Sequence, residues 1–164
     1  METKAGDPGA FAHFDLYRIP SPAFVVDEAA LRRNLAILAD VKARSGAKIL
    51  CAMKAFSMWK VAPIIGEYLD GVCSSGLWES RLARDYYKGE IATYCAGYKE
   101  GDMAEIVEIS DHVIFNSPRQ HQRFAAFLND SVDVGLRLNP EHAEGEVAKY
   151  DPCSPGSRLG FPVS

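Results

Sequence analysis

Two cations interrupt apolar stretches of this sequence at positions where packing alone would not put them. Lys54 follows the run KILCAM, and Arg137 breaks the run VDVGLRLN. An amine at the end of an apolar strand, dried by neighbours such as Met53 and Phe56, is pushed toward its neutral, nucleophilic form. That is what a lysine needs to attack a carbonyl and hold it as a Schiff base. The plainer alternative is a strand-end lysine whose stem snorkels and leaves the amine in water. Arg137 is placed to bind an anionic oxygen through its planar fork of donors. Its plainer alternative is an ion pair with a neighbouring helix. Two cations at equivalent ends of different strands support each other as functional groups, because side chains that do chemistry gather at such ends in parallel βα architectures.

A third candidate is GVCSSGLWES. Gly71, Ser74, Ser75 and Gly76 allow a strand to turn tightly into a helix, with Glu79 in the first helical turn. The stretch matches neither the dinucleotide fingerprint nor the phosphate loop ending in Lys-Ser/Thr. Simple capping by Ser75, with Glu79 favoured by the helix dipole, explains it at least as well. The histidines carry less. His13 lies in an irregular arm, His112 begins a strand, His121 falls on a polar helix face open to solvent, and His142 lies in a late loop. Their spacing yields no Ser-His-Asp or Cys-His arrangement. Cys51, Cys73 and Cys95 recur 22 residues apart, and Cys153 stands alone. Without a Cys-x-x-Cys pair or a histidine sharing the period, they read as small buried side chains on successive strands, and no metal site is expected.

These residues need a scaffold, and the pattern supplies one. Residues 1–20 are rich in Gly and Pro and form an arm without regular structure. AFVVD (23–27) is a short β-prone run. Asp27 can cap the helix EAALRRNLAILADVKARS, in which Leu31, Leu35, Leu38 and Val41 make one apolar face and Gly46 provides the stop. Strands follow at 48–53, 71–75, 91–95, 112–115 and 132–138, about every 20 to 22 residues, with helical material between them. Ser117 and Pro118 form a cap and first turn for the last of these helices. Near-continuous apolar strands alternating with helices give a parallel sheet, either doubly wound or closed as an eight-stranded barrel. A doubly wound domain would fit 164 residues with nothing missing. The irregular stretch 139–160 has no partner to close against, so the last residues, RLGFPVS, read as a cut. The long polar loop after Asn139 points to a substrate-facing role.

The bulk numbers exclude other classes. Acidic residues outnumber basic ones by 22 to 18, for a net charge of −4, so no electrostatic footprint for nucleic acid or a membrane surface exists. No apolar run approaches the roughly 18 residues of a spanning helix, and the start lacks the basic and apolar regions of a signal peptide. A cytoplasmic protein is expected.

Taken together, the motifs resemble a known family. PSPAFVVDEAALRRNL is similar to the opening segment of fold-type III pyridoxal-phosphate decarboxylases, whose barrel is of the alanine-racemase type. AMKAFS resembles their cofactor-lysine strand, and CSSGLWE the next strand and turn. LRLNPEH and YDPCSPGSRLG resemble the carboxynorspermidine decarboxylase branch rather than the diaminopimelate, ornithine or arginine decarboxylases. The resemblance implies a (β/α)8 barrel, incomplete here at about five βα units, with residues 21–164 forming part of the cofactor-binding domain. It implies pyridoxal 5'-phosphate held by Lys54, with Arg137 near the cofactor's phenolic oxygen. Cys73 would stand where ornithine-type relatives carry an aspartate; Glu79 would lie beside the site, and Arg158 in a loop facing a second subunit of a homodimer. The implied reaction is decarboxylation of carboxynorspermidine or carboxyspermidine in polyamine synthesis. The stacking imidazole, the phosphate loop and the carboxylate on the ring nitrogen have no match in the chain. The expectation is therefore a piece of such an enzyme, inactive by itself; the alternatives are a diaminopimelate or arginine decarboxylase of the same fold, or a non-catalytic cofactor-binding barrel.

Overall fold

The computed structural model describes residues 9–164. Residues 1–8 of the expected arm lie outside the described residues. Five strands form one parallel sheet: β1 (Leu50–Ala52), β2 (Gly71–Ser74), β3 (Glu90–Cys95), β4 (His112–Phe115) and β5 (Asp133–Leu136). Their order across the sheet is the order in the chain. This decides between the two parallel architectures. A doubly wound sheet reverses its strand order and takes helices on both faces, whereas successive right-handed crossovers in one direction put every helix on one face, as a barrel does. The sheet is open, with β1 and β5 as its edges.

Helix α1 (Glu28–Ser45) precedes β1, and α2 (Ala62–Ile65), α3 (Leu77–Tyr86), α4 (Glu100–Ile109) and α5 (Pro118–Phe124) fill the four crossovers. The expected caps form. The Asp27 carboxylate accepts from the Ala30 N–H at 3.1 Å, and Gly46 ends α1 with a left-handed φ of 72°. Ser117 Oγ accepts from the Gln120 N–H at 3.2 Å, and Pro118 opens α5. Three apolar clusters hold the helices to the sheet: Leu35, Ile65 and Leu69 under α1; Met53, Val72, Ala83 and Ile91 under α3; and Met103, Ile106, Val113, Phe115 and Phe124 under α4 and α5. Two of them draw on Met53, Val72, Ile91, Val113 and Phe115, and the one under α1 meets the sheet at Cys51. Because side chains alternate across a strand, the residues between these positions point to the opposite face. Ala52, Cys73, Ala92, Ile114 and Gly135 lie there, a mostly small-residue surface. Gly71 is fixed by a close approach, since a Cβ would sit 2.0 Å from the Glu90 carbonyl oxygen.

Three expectations fail. Residues 23–27 form no strand and Phe24 is 94% exposed, because among the described residues no strand offers them a hydrogen-bonding partner. The apolar stripe of α1 is only partly used: Leu35 is buried and Leu31 half-buried, but Leu38 and Val41 are 39% and 41% exposed. The short α2 meets α1 at Leu35, through Ile65. The stretch after Asn139 does find a partner, for β6 (Leu138–Asn139) pairs in parallel with β7 (Phe161–Pro162). Asp151 organises the loop between them by accepting from the N–H groups of Gly145 and Cys153.

Candidate active site

The C-terminal strand ends on the face away from the helices carry Lys54, Ser75, Tyr94, Asn116 and Arg137, one from each of the five strands. A cleft of about 660 Å³ opens there, lined by Lys54, Ser75, Tyr94, Arg137, Tyr150 and Arg158 among others. Its lining contains three cations and no carboxylate. The chain enters the site at Lys54 through a tight turn in which the N–H groups of Ala55 and Phe56 both donate to the Ala52 carbonyl. Lys54 is exposed, and among the described residues its amine has no ion pair or hydrogen bond. The expected drying by Met53 and Phe56 does not occur. Met53, 1% exposed, alternates onto the helix side, and Phe56 packs toward α1 and α2.

Arg137 follows β5, with its backbone N–H donating to the Phe115 carbonyl at 2.9 Å and its carbonyl accepting from Phe161 at 3.1 Å. Its guanidinium lies 4.8 Å from the centroid of the Tyr94 ring. No ion pair between Arg137 and a helix carboxylate is present among the described residues, so the plainer reading of this arginine has no support in the geometry. The Tyr94 hydroxyl donates to Asn116 Oδ1 at 2.7 Å, and Asn116 in turn binds the backbone of Arg158 and Gly160. Tyr94, Asn116 and Tyr150 were not singled out in the sequence. The signal for the first two was available: counting by twos from each strand start puts a polar residue on the same face at every strand end.

No family model matches this chain. It is 41% identical over 144 residues to the carboxynorspermidine/carboxyspermidine decarboxylase of Campylobacter jejuni, covering 88% of this chain and 37% of that protein. The corresponding decarboxylase of Herminiimonas arsenicoxydans is 39% identical over 87% of this chain and 39% of its own length. The carboxyaminopropylagmatine decarboxylase of a Synechocystis strain is 36% identical over 88% of this chain and 38% of its own. Among solved structures, carboxynorspermidine decarboxylase from Campylobacter jejuni, complexed with norspermidine, superposes with a TM-score of 0.77. The two are 38% identical over 88% of this chain and 36% of that one. This chain is homologous to carboxynorspermidine decarboxylases. It spans a little over a third of the length of these relatives. D-threonine aldolase from Filomicrobium marinum, 18% identical with a TM-score of 0.60 over 73% of this chain and 34% of its own, shares the fold.

For a chain homologous to these decarboxylases, the remaining expected site residues divide. Cys73 is half-buried on β2, on the Lys54 face; burial pushes its thiol pKa up, the Lys54 charge pulls it back and Glu79 adds to the rise. Arg158 is exposed and reaches the cleft. Glu79 does not line it. Its carboxylate accepts from the Ser75 N–H at 2.6 Å and borders a separate cleft of about 310 Å³ with Trp78, Tyr98 and Asp102. The helix-start role fits Glu79, but Ser75 is not the cap: Gly76 holds that position and no side chain bonds there. His112 sits at the far end of the sheet between Glu90 (3.4 Å) and Asp133 (3.5 Å). His121 is half-buried edge-on against Phe115, rather than solvated, because α5 turns it toward the core. His13 is exposed, and His142 pairs with Glu144 in the late loop. Cys51 joins the helix-side core, where burial pushes its thiol up, and all four cysteines are free and half-buried. Among the described residues no cluster suits a metal ion and no helix is long and apolar enough to cross a membrane.

Proposed function

We propose that this chain forms the lysine-bearing face of a pyridoxal-phosphate-dependent decarboxylase of carboxylated polyamines. The observation that carries the reading is a cleft with an unpaired lysine amine, two arginines and no carboxylate in its lining. An aldehyde that also bears a phosphate and a phenolic oxygen suits this donor set, so the residues present fit the cofactor. When bound, pyridoxal phosphate supplies an electron sink for the pair left behind as carbon dioxide departs.

The residues do the rest. Lys54 would hold the cofactor through Nζ and, as the single lysine in the lining, would be the amine that carries a proton there. Arg137, steadied on the Tyr94 ring, binds an anionic oxygen with a delocalised charge that persists even where water is excluded. Arg158 adds positive charge from the loop, and Tyr150, Pro152 and Leu159 line the same cleft. Residues 21–164 act as part of a longer site: a ring-nitrogen partner and a phosphate loop must come from further chain or a second subunit of a homodimer. The protein works in the cytoplasm.

The substrates are carboxynorspermidine or carboxyspermidine, yielding norspermidine or spermidine. The relatives named for these compounds and for carboxyaminopropylagmatine support the class, an α-amino acid with a polyamine arm. Residues 1–164 alone are expected to release no carbon dioxide, so the test is carbon dioxide release by the purified full-length protein of which they form part, with pyridoxal phosphate, from these three compounds and from diaminopimelate and arginine. Release from the carboxylated polyamines with little from the amino acids is expected. A visible cofactor band without turnover of any substrate would move the reading to a cofactor-binding barrel.

A further inference from the structure

Asn116, one residue past β4, turns both ends of its side-chain amide to the late loop and one neighbour. Its Oδ1 accepts from the Tyr94 hydroxyl and from the Gly160 N–H, each at 2.7 Å. Its Nδ2 donates to the Arg158 carbonyl at 3.1 Å. The Asn116 N–H is itself held by Gln120 Oε1 at 2.7 Å, so the amide is aimed by α5. Gly160 lies flat on the β5–β6 junction with φ of 77°, where a Cβ would stand 2.9 Å from the Leu138 carbonyl carbon. Phe161 then donates to the Arg137 carbonyl. Residues more than 40 positions apart in the chain are thus pinned to the strand ends, and the pinned segment delivers Arg158 to the cleft.

We propose that Asn116, working with Tyr94, is a positioning residue that latches segment 158–160 over the cleft and so fixes where Arg137 and Arg158 meet an anionic ligand. Tyr94 links the two arginines: its ring carries Arg137 and its hydroxyl holds Asn116, which holds the Arg158 backbone. Preset cations bind an anion without first being ordered, which is where the gain in affinity lies. The ligand half of this inference rests on the pyridoxal-phosphate reading; the latch does not.

Trypsin separates the two. The bond after Arg158 is the one whose carbonyl Asn116 holds, and cleavage of a held segment follows its opening. In purified protein, Asn116→Ala should raise cleavage after Arg158 by about tenfold relative to cleavage after Arg18, and Tyr94→Phe by roughly two- to fivefold. Both variants should also weaken pyridoxal phosphate in a visible titration, with the Lys54-dependent band still reached at saturation. Tyr94→Phe keeps the ring under Arg137 and serves if Asn116→Ala does not fold. Unchanged cleavage after Arg158 in the folded variants overturns the latch. Faster cleavage with unchanged ligand affinity overturns the positioning role. If the unaltered protein takes up no pyridoxal phosphate while cleavage responds as expected, the cofactor reading fails and the latch stands. Inorganic phosphate then becomes the probe, and its binding must fall in the same variants or the positioning role is lost.

Discussion

The two ends of the sheet treat charge in opposite ways. At the N-terminal ends of the strands, carboxylates sit against the basic side chains near them. Lys42 bonds Asp70 at 2.9 Å, Lys48 pairs with Glu90, and His112 lies between Glu90 and Asp133. The carboxylates there also cap backbone, since Asp70 accepts from the Ile49 N–H and Asp111 from the Ile91 N–H. At the C-terminal ends Lys54 and Arg137 have no carboxylate among the described residues, and neutral groups such as Tyr94 and Asn116 surround them. Charge neutralised inside the fold serves the fold; charge left over is available to a ligand. The contrast matches the division of labour in (β/α) barrels, where function collects at the C-terminal face.

The largest expected effect tests that contrast directly. In the full-length protein, Lys54→Ala should abolish both the visible band formed with pyridoxal phosphate and decarboxylation, while Lys48→Ala, the lysine before the same strand, should keep both. A band that survives Lys54→Ala would move the attachment point to another lysine. Next in size is the helix side. Phe115 is fully buried, with Tyr98 and Phe124 rings 5.7 and 6.5 Å away, so Phe115→Ala should cost about 3–5 kcal/mol in a denaturant melt. Below its melting temperature the variant should still form the band, since Phe115 faces away from the cleft. Loss of the band in folded protein would show that the two faces are not separable.

Much of this was legible in the sequence. Apolar runs of strand length separated by helical material gave the five strands, because a strand buried by helices cannot tolerate polar residues along its middle. Strand order was not legible from periodicity, since both parallel architectures share it; the family motifs supplied the barrel, and the sequential pairing of β1 to β5 agrees. AFVVD reads as a strand by propensity, yet β structure exists only as pairing, and no partner is among the described residues. Lys54 and Arg137 stood out because a charge ending an apolar run is conspicuous. Tyr94 and Asn116 did not, because a tyrosine and an asparagine at strand ends are ordinary until a partner 42 residues away is known. The exposed amine of Lys54 agrees with the plainer of its two readings, and the drying that the other reading needed fails for a simple reason. Met53 and Phe56 are its neighbours in sequence, but alternation sends Met53 to the opposite face.

A smaller effect is expected at Arg137. Without it the cleft keeps Lys54, so the band should still form, but the affinity for pyridoxal phosphate should fall by roughly tenfold to a hundredfold, the range of one charge-assisted hydrogen bond. Turnover should slow as well. Unchanged affinity and kinetics in Arg137→Ala would make the stacking on Tyr94 purely structural, and the unpaired charge at this end would then belong to Lys54 and Arg158 alone.

The smallest effect belongs to the neutralised end and appears only in acid. The Ile49 N–H, with the Lys42 ammonium, holds the Asp70 carboxyl below its ordinary range. The Lys48 ammonium, with His112, does the same for Glu90. A carboxyl whose pKa is lower in the folded than in the unfolded chain binds protons more readily when unfolded. Its contribution is therefore complete above the unfolded value, about 3.9 for Asp, and is lost as pH falls through the folded value. Stability should decline as the pH drops below about 4 to 5. Asp70→Asn can still accept from Ile49 but cannot titrate, so its stability should be lower near neutrality and fall less steeply in acid. Glu90 keeps part of the decline, which makes the change of slope partial. Denaturant midpoints from pH 7 down to 3 would show it, and acid limbs that superimpose would mean that Asp70 is neutralised on paper only, its ion pair contributing no more than an exposed pair does.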